Sequence, residues 1–226
     1  MREIDLIHRQ LELVAVSVGN RVRRLYDALE SVSYLTKALF AKSAVAPETI
    51  TQWIEREQLE LLPSGYFGSA AQIERLRQNG NDYNDAIMFW SGLVRDDERL
   101  RRRYYILQSV VPHATTLCQQ VKATWIYFQH GCTPHAALTM PATIPENTVP
   151  SDFSWHEYHS FTIASPQNNP ERMIRWTPPN IDYGGQGLIS CVSKPVYADD
   201  DELLGVWTID VRGCLTGFPR FFSDVV

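Results

Sequence analysis

The sequence predicts an α+β fold: a long N-terminal helix and a helical segment, followed by an antiparallel sheet. Three observations carry that reading. Ile4, Ile7, Leu11, Val14, Val18, Val22, Leu25, Leu29, Val32 and Leu39 form an apolar stripe at helical spacing, with no proline before Pro47. Trp125-Ile126-Tyr127-Phe128 is a strong aromatic and β-branched strand. Arg175–Val211 reads as three consecutive strands separated by turn chemistry. The expected units are residues 1–45 for the long helix, 46–123 for helices packing on the sheet, 124–215 for the sheet module and 216–226 for a tail.

Composition narrows the function classes. The 226 residues are 44% hydrophobic and 21% charged, the balance of an ordinary globular protein with enough chain to bury a core. A net charge of −5 argues against an extended nucleic-acid surface. No run of about eighteen apolar residues is present, so no segment is expected to span a membrane. Met1 is followed directly by a charged amphipathic helix rather than a signal peptide. Cys118, Cys132, Cys191 and Cys214 lack C-x-x-C spacing, which argues against a zinc framework.

The N-terminal stripe predicts a helix of about forty residues, roughly 60 Å long. Its pattern begins as a heptad and takes a stutter at Val14–Val18–Val22, where Arg21 holds the strict heptad place. Such a helix packs along its own domain or is shared with a second copy, and a homodimer through it is expected. Pro47 restarts the chain at a first helical position, with Ile50, Trp53 and Ile54 as a short apolar face. Leu59–Tyr66 ends at the turn Pro63-Ser64-Gly65. Gln72–Arg77 reads as a short helix, stopped by Asn79-Gly80-Asn81. A longer helix is expected from Asp82 through Ile87, Trp90, Leu93 and Val94. The run Arg95–Arg103 alternates sign and reads as a solvated face. Tyr104–Val121 continues helical apart from a break at Pro112. Trp125–Phe128 turns at Gly131, Ala136–Met140 is its partner strand, and Trp155–Phe161 is a short helix or turn beneath the sheet.

The last three strands hold the most information. Pro178-Pro179-Asn180 breaks the first, and Gly184, Gly185 and Gly187 supply a tight reversal. Leu188–Tyr197 is the second strand, Ala198–Glu202 an acidic solvated turn, and Leu203–Val211 the third. With period two, Leu203, Gly205, Trp207, Ile209 and Val211 form a core face. The opposite face runs Leu204, Val206, Thr208 and ends in Asp210. A carboxylate there is either at a solvated strand end or buried against a partner, because an unpaired buried charge is costly.

WTPPxxDxxGxG, then S-x-x-x-P-V-Y, then L-L-G-V-x-x-I-D-V, resembles the end of a Cache-type module, the PAS-like extracytoplasmic sensor domain of bacterial receptors. Asp152–Trp176 resembles the membrane-distal module of double Cache domains. The resemblance implies a periplasmic, membrane-tethered sensor of a histidine kinase, chemoreceptor or cyclic-dinucleotide enzyme. Its expected partners are a small molecule and a second copy, with no nucleic acid and no cofactor. It further implies a pocket between the sheet and its crossing loops, contacted by Trp155, Tyr158, Trp176, Asn180, Asp182 and Asp210. In such a pocket aromatic walls hold an apolar body and carboxylates pair with an amine. Two departures weaken an α-amino-acid expectation. Ser154-Trp155-His156-Glu157-Tyr158 lacks the arginine of the family's R-x-W-aromatic stretch, and Asn180 replaces the tyrosine of PP-Y-x-D. Arg172 or Arg175 substitutes only by pointing inward.

Other candidates are bland. His130-x-Cys132-x-x-His135 lacks a fourth metal ligand, and the acidic Asp199–Glu202 lacks an EF-hand pattern. No G-x-S-x-G, H-E-x-x-H or Walker loop is present, and the glycine run at 184–187 joins strands rather than opening a helix. The expectation is therefore a binding domain without catalysis. The competing reading is a dimerisation module whose aromatics are core and which takes no ligand.

Overall fold

The computed structural model describes residues 2–42, 44–94 and 98–212, with side chains from Ile7 onward. The side chain of Ile4, residues 95–97 of the charge run, and the tail with Cys214, Phe218, Phe221 and Phe222 lie outside the described residues. The long helix is present as α1, Arg2–Lys42. α2 follows at Pro47–Glu57, with Pro47 in its first turn, where a missing N–H costs nothing. Strands β1 (Leu59–Leu61) and β2 (Tyr66–Ser69) form a hairpin about Pro63-Ser64-Gly65. Ser69 caps α3 (Ala70–Asn79) by accepting a hydrogen bond from the Gln72 amide, and Gly80 ends it at a φ of 78°.

Residues 82–94 depart from the expected helix. They form β3 (Ile87–Ser91), and Asp82 bridges to Ala142 instead of capping a helix. Ile87-Met88-Phe89-Trp90 is a short apolar run whose spacing suits either period, and pairing with two neighbouring strands decides for the extended form. Helices α4 (Glu98–Leu107) and α5 (Val111–Val121) come next. The break falls at residues 108–110, and Pro112 sits within the first turn of α5 rather than at the interruption. Arg103 also departs from the solvated-face reading. It is buried, and its guanidinium bonds Glu202 and the Leu204 carbonyl. Glu202 is thus half-buried beneath Arg99 and Arg103 rather than free in a solvated turn.

The remaining elements are β4 (Trp125–His130), β5 (Ala136–Met140), α6 (His159–Ala164), β6 (Arg175–Trp176), β7 (Asn180–Ile181), β8 (Leu188–Tyr197) and β9 (Leu203–Arg212). All pairings are antiparallel, in the order β1-β2-β3-β5-β4-β9-β8-β6, with β7 also on β8. The architecture is the predicted α+β fold. Gly185 and Gly187 take φ of 75° and 85° in the β7–β8 turn, where a side chain would be strained. Gly205 lies so close to the Gln129 carbonyl and the Phe128 ring that a Cβ would meet both at 2.3 Å.

Strand alternation gives the sheet two apolar faces. On one, Ile126, Phe128, Trp207, Ile209 and Val211 pack with Leu25, Leu29 and Val32 of α1 and with α5. On the other, Ile87, Phe89, Trp125 and Tyr127 pack with Trp155 and Tyr158. The C-terminal half of α1 is also pinned by hydrogen bonds. The Trp207 indole donates to Thr36 at 2.8 Å, and the Trp176 indole donates to Tyr26 at 3.0 Å. Each is worth about 1 kcal/mol net, less than the burial of a single leucine.

This anchoring makes the two halves of α1 unequal. Leu29→Ala should cost about 2–5 kcal/mol in urea unfolding. Leu11→Ala, at a position 61% exposed, should stay within about 0.5 kcal/mol for the isolated chain. Equal losses at the two positions would contradict the packing described.

Candidate ligand-binding site

The face of the sheet away from α1 carries a cavity. β4 presents Trp125, Tyr127 and Gln129 there, and register sets Trp125 and Cys191 on either side of Asp210. The chain after β5, the turn at Trp155–Glu157 and the Asp182–Gly184 turn cross over this face. The cavity volume is about 40 Å³, and the cavity is open to solvent on one side. Its walls are Trp125, Tyr127, Phe153, Trp155, Tyr158 and Tyr183, with Thr139, Thr143, Thr148, Val149 and Gly184, and the two carboxylates Asp182 and Asp210. The rings meet mostly edge to face: Phe153 lies 5.0 Å from Trp155 and 5.3 Å from Tyr183, and Tyr158 lies 5.8 Å from Tyr183. Such a volume holds only a few atoms. Tyr183, 59% exposed, is the wall residue that lies most in solvent.

Asp210 is 2% exposed. Its Oδ1 accepts the Tyr127 hydroxyl at 3.1 Å, and the Cys191 thiol also bonds the carboxylate. Burial pushes its pKa up to about 7, the nearby Asp182 charge adds to the rise, and the Cys191 and Tyr127 bonds offset part of it. Burial likewise raises Cys191, Tyr127 and Tyr158, with Asp210 contributing to each, so these groups stay neutral. Asp182 is held by neutral donors, the Trp125 indole at 3.2 Å and the Gln186 amide at 2.9 Å. Among the described residues, neither carboxylate has a cationic side chain as partner.

Hydroxyl chemistry continues beneath the cavity. Tyr127 bonds Ser160 at 3.2 Å, Ser160 donates to Gln129 Oε1 at 3.2 Å, and Thr208 reaches the same oxygen at 3.3 Å. Among the described residues, Gln129 Nε2, Asn180 Oδ1 and the Thr139 hydroxyl are buried in this region without a hydrogen-bond partner, and Thr139 lines the cavity.

The structure brings together Trp155, Tyr158, Asp182 and Asp210. It places Trp176 and Asn180 elsewhere. Trp176 lies on the α1 face, bonded to Tyr26, because strand alternation turns it away from the cavity. Asn180 bonds Thr177 and the Pro178 carbonyl and approaches the Cys191 sulfur at 3.9 Å, behind the cavity wall. Neither arginine points inward: Arg172 pairs with Asp201 over the Tyr197 ring, and Arg175 bonds Asn169 and Glu171. Sequence reasoning missed Trp125, Tyr127, Tyr183 and Thr139. The period-two alternation of β4 marks the first two, but they read there simply as a strong strand.

His130 lies on the opposite face between Tyr104 and Phe128, where burial holds it neutral, while His135 bonds the Phe153 carbonyl. Among the described residues no group of three or more His, Cys, Asp or Glu is placed to hold a metal ion. Among them, too, no helix is long and apolar enough to cross a membrane.

No family model matches the sequence, and no curated protein matches it. Solved structures do. The ligand-binding domain of the Campylobacter jejuni chemoreceptor Tlp3 in complex with L-norvaline is 13% identical with a TM-score of 0.35, over 89% of this chain and 60% of that one. The ligand-binding domain of Mlp24 with asparagine is 12% identical with a TM-score of 0.35, over 86% of this chain and 60% of that one. The ligand-binding domain of the Pseudomonas aeruginosa PAO1 amino acid chemoreceptor PctC with GABA is 14% identical with a TM-score of 0.32, over 82% and 64%. All three are ligand-binding domains. This chain spans under two thirds of their lengths, and the site described here rests on its own residues.

The buried acid has a stability consequence. Folding raises the Asp210 pKa, so its contribution is full below about pH 4 and is lost as pH rises through about 7. Asp210→Asn should therefore gain on the parent protein between pH 4 and 7, by on the order of a few kcal/mol, and hold the gain above 7. Urea unfolding across that range measures it, and a pH-independent difference would refute the assignment.

Proposed function

We propose that this chain is the extracytoplasmic sensory domain of a bacterial membrane receptor and that its ligand enters the aromatic cavity over β4 and β9. The observation that supports this reading is a fully buried carboxylate, Asp210, in an aromatic cavity without a cation beside it. A buried acid raised to about 7 is expensive to keep, and strongly perturbed acids collect at functional sites. An ammonium group satisfies both Asp210 and Asp182, and the surrounding ring faces attract the same charge.

Helix α1 is the natural reporter. Its C-terminal half is anchored on the sheet, while none of the residues from Ile7 to Arg24 is buried. Ile7, Leu11, Val14 and Val18 repeat at steps of four, three and four along this stretch, the spacing by which two copies pair as a coiled coil. Ligand binding shifts the packing of α1 by no more than its differential affinity for the two packings.

Two experiments test this. A thermal-shift screen of amines, amino acids, carboxylates and purines should find a ligand whose effect vanishes in Asp210→Asn. At one hundred times its Kd, that ligand adds roughly 2.7 kcal/mol of stability. No hit at all favours a dimerisation module without a ligand, and hits that persist in the variant would overturn the assignment of the ligand to Asp210. Sedimentation equilibrium should show Leu11→Glu weakening self-association by tenfold or more, about 1.4 kcal/mol; an unchanged dimer would exclude α1 as the interface.

A further inference from the structure

We infer that the cavity takes a small organic amine that lacks a carboxylate, and that an α-amino acid is rejected. The inference rests on the ligand site proposed above and names its ligand class. The cavity wall contains two carboxylates and no Lys, Arg or His. An amino acid's amine would find Asp182 and Asp210, but its carboxylate would enter the same dry space with no counter-charge. A like charge set beside an acid across a desolvated contact costs several kcal/mol.

Of the cations near the wall residues in sequence, Arg172 pairs with Asp201 and Arg175 with Glu171, and Arg212, two residues beyond Asp210, is exposed and forms no part of the cavity wall. His156, which burial favours in its neutral form, bonds the His130 carbonyl. The Thr139 hydroxyl gives a second, independent sign. It is nine-tenths buried, lines the cavity and has no hydrogen-bond partner. Leaving such a group unpaired costs about 1–3 kcal/mol, and a neutral polar group on the ligand removes the cost. Asp210 is opposite Trp125 of β4 and Thr139 is opposite Tyr127, so the two sit two strand spacings apart and two residues offset along the strand, roughly 12 Å between backbones. The site thus offers one end to a cation and the other to a neutral donor or acceptor. Its volume of about 40 Å³ favours a short ligand.

Matched pairs isolate the carboxylate. Calorimetric titration of the full chain with valine and isobutylamine, serine and ethanolamine, and tyrosine and tyramine compares molecules that differ by that group alone. At least one amine should bind tenfold or more tightly than its amino acid. Its affinity should rise with pH through about 7 as Asp210 loses its proton, with Cys191, Tyr127, Tyr158 and Asp182 facing that group. Thr139→Val should weaken the hydroxylated amines about fivefold and leave isobutylamine unchanged. Amino acids that bind as well as their amines, with binding lost in Asp210→Asn, would overturn the ligand class and leave the site standing. Binding that survives Asp210→Asn would overturn the site itself. Silence from all three amines would also overturn the class.

Discussion

The structure is built around a carboxylate that has no cationic partner among the described residues. Asp210 sits on a central strand, between Trp125 of β4 and Cys191 of β8, with neutral hydrogen bonds as its only support. Neutral donors hold a buried carboxylate poorly, and its raised pKa records the deficit. A core selected for stability alone would place an apolar residue or an asparagine there. The aromatic walls and the second acid on the crossing turn line the same cavity, and a bound cation resolves the conflict between the two carboxylates; the orphan Thr139 hydroxyl lies at its other end.

The same strand joins the cavity to the helix. Trp207 and Asp210 are three residues apart on opposite faces of β9, so one anchors α1 through Thr36 while the other faces the cavity. A second connection runs through Cys191. Its thiol bonds Asp210, its amide donates to the Thr177 hydroxyl at 2.9 Å, and the neighbouring Trp176 donates to Tyr26 of α1. Trp176 therefore acquires a place in the account as an anchor of α1 rather than as a wall of the cavity. A ligand alters the output only if these contacts differ between two packings of α1.

Much of the fold was legible because its signals were strong and local. The apolar stripe from Ile7 to Leu39, the breaks at Pro47 and Pro178, and the glycine turn before Leu188 each had one reading. Ile87–Ser91 did not, since its four-residue apolar run fits a helix or a strand until its neighbours are known. Arg103 was hidden for a related reason: a buried arginine within a charged run is revealed only by the distant Glu202 that pairs with it. At the site, the parity of β9 brought out Asp210. Trp176 was misplaced because the resemblance supplied a residue type but not the direction of its strand. Thr139 gave no signal at all, since its interest lies in a hydrogen bond it does not make.

The central claim is that Asp210 is the seat of a cation. The direct measurement is a carboxyl ¹³C NMR titration of Asp210, alone and with saturating amine. The account predicts a pKa near 7 in the free protein and a clear fall when the amine is bound, because the neighbouring positive charge favours the ionised form. An Asp210 that titrates in the ordinary carboxylate range, or one whose pKa ignores the amine, would contradict it.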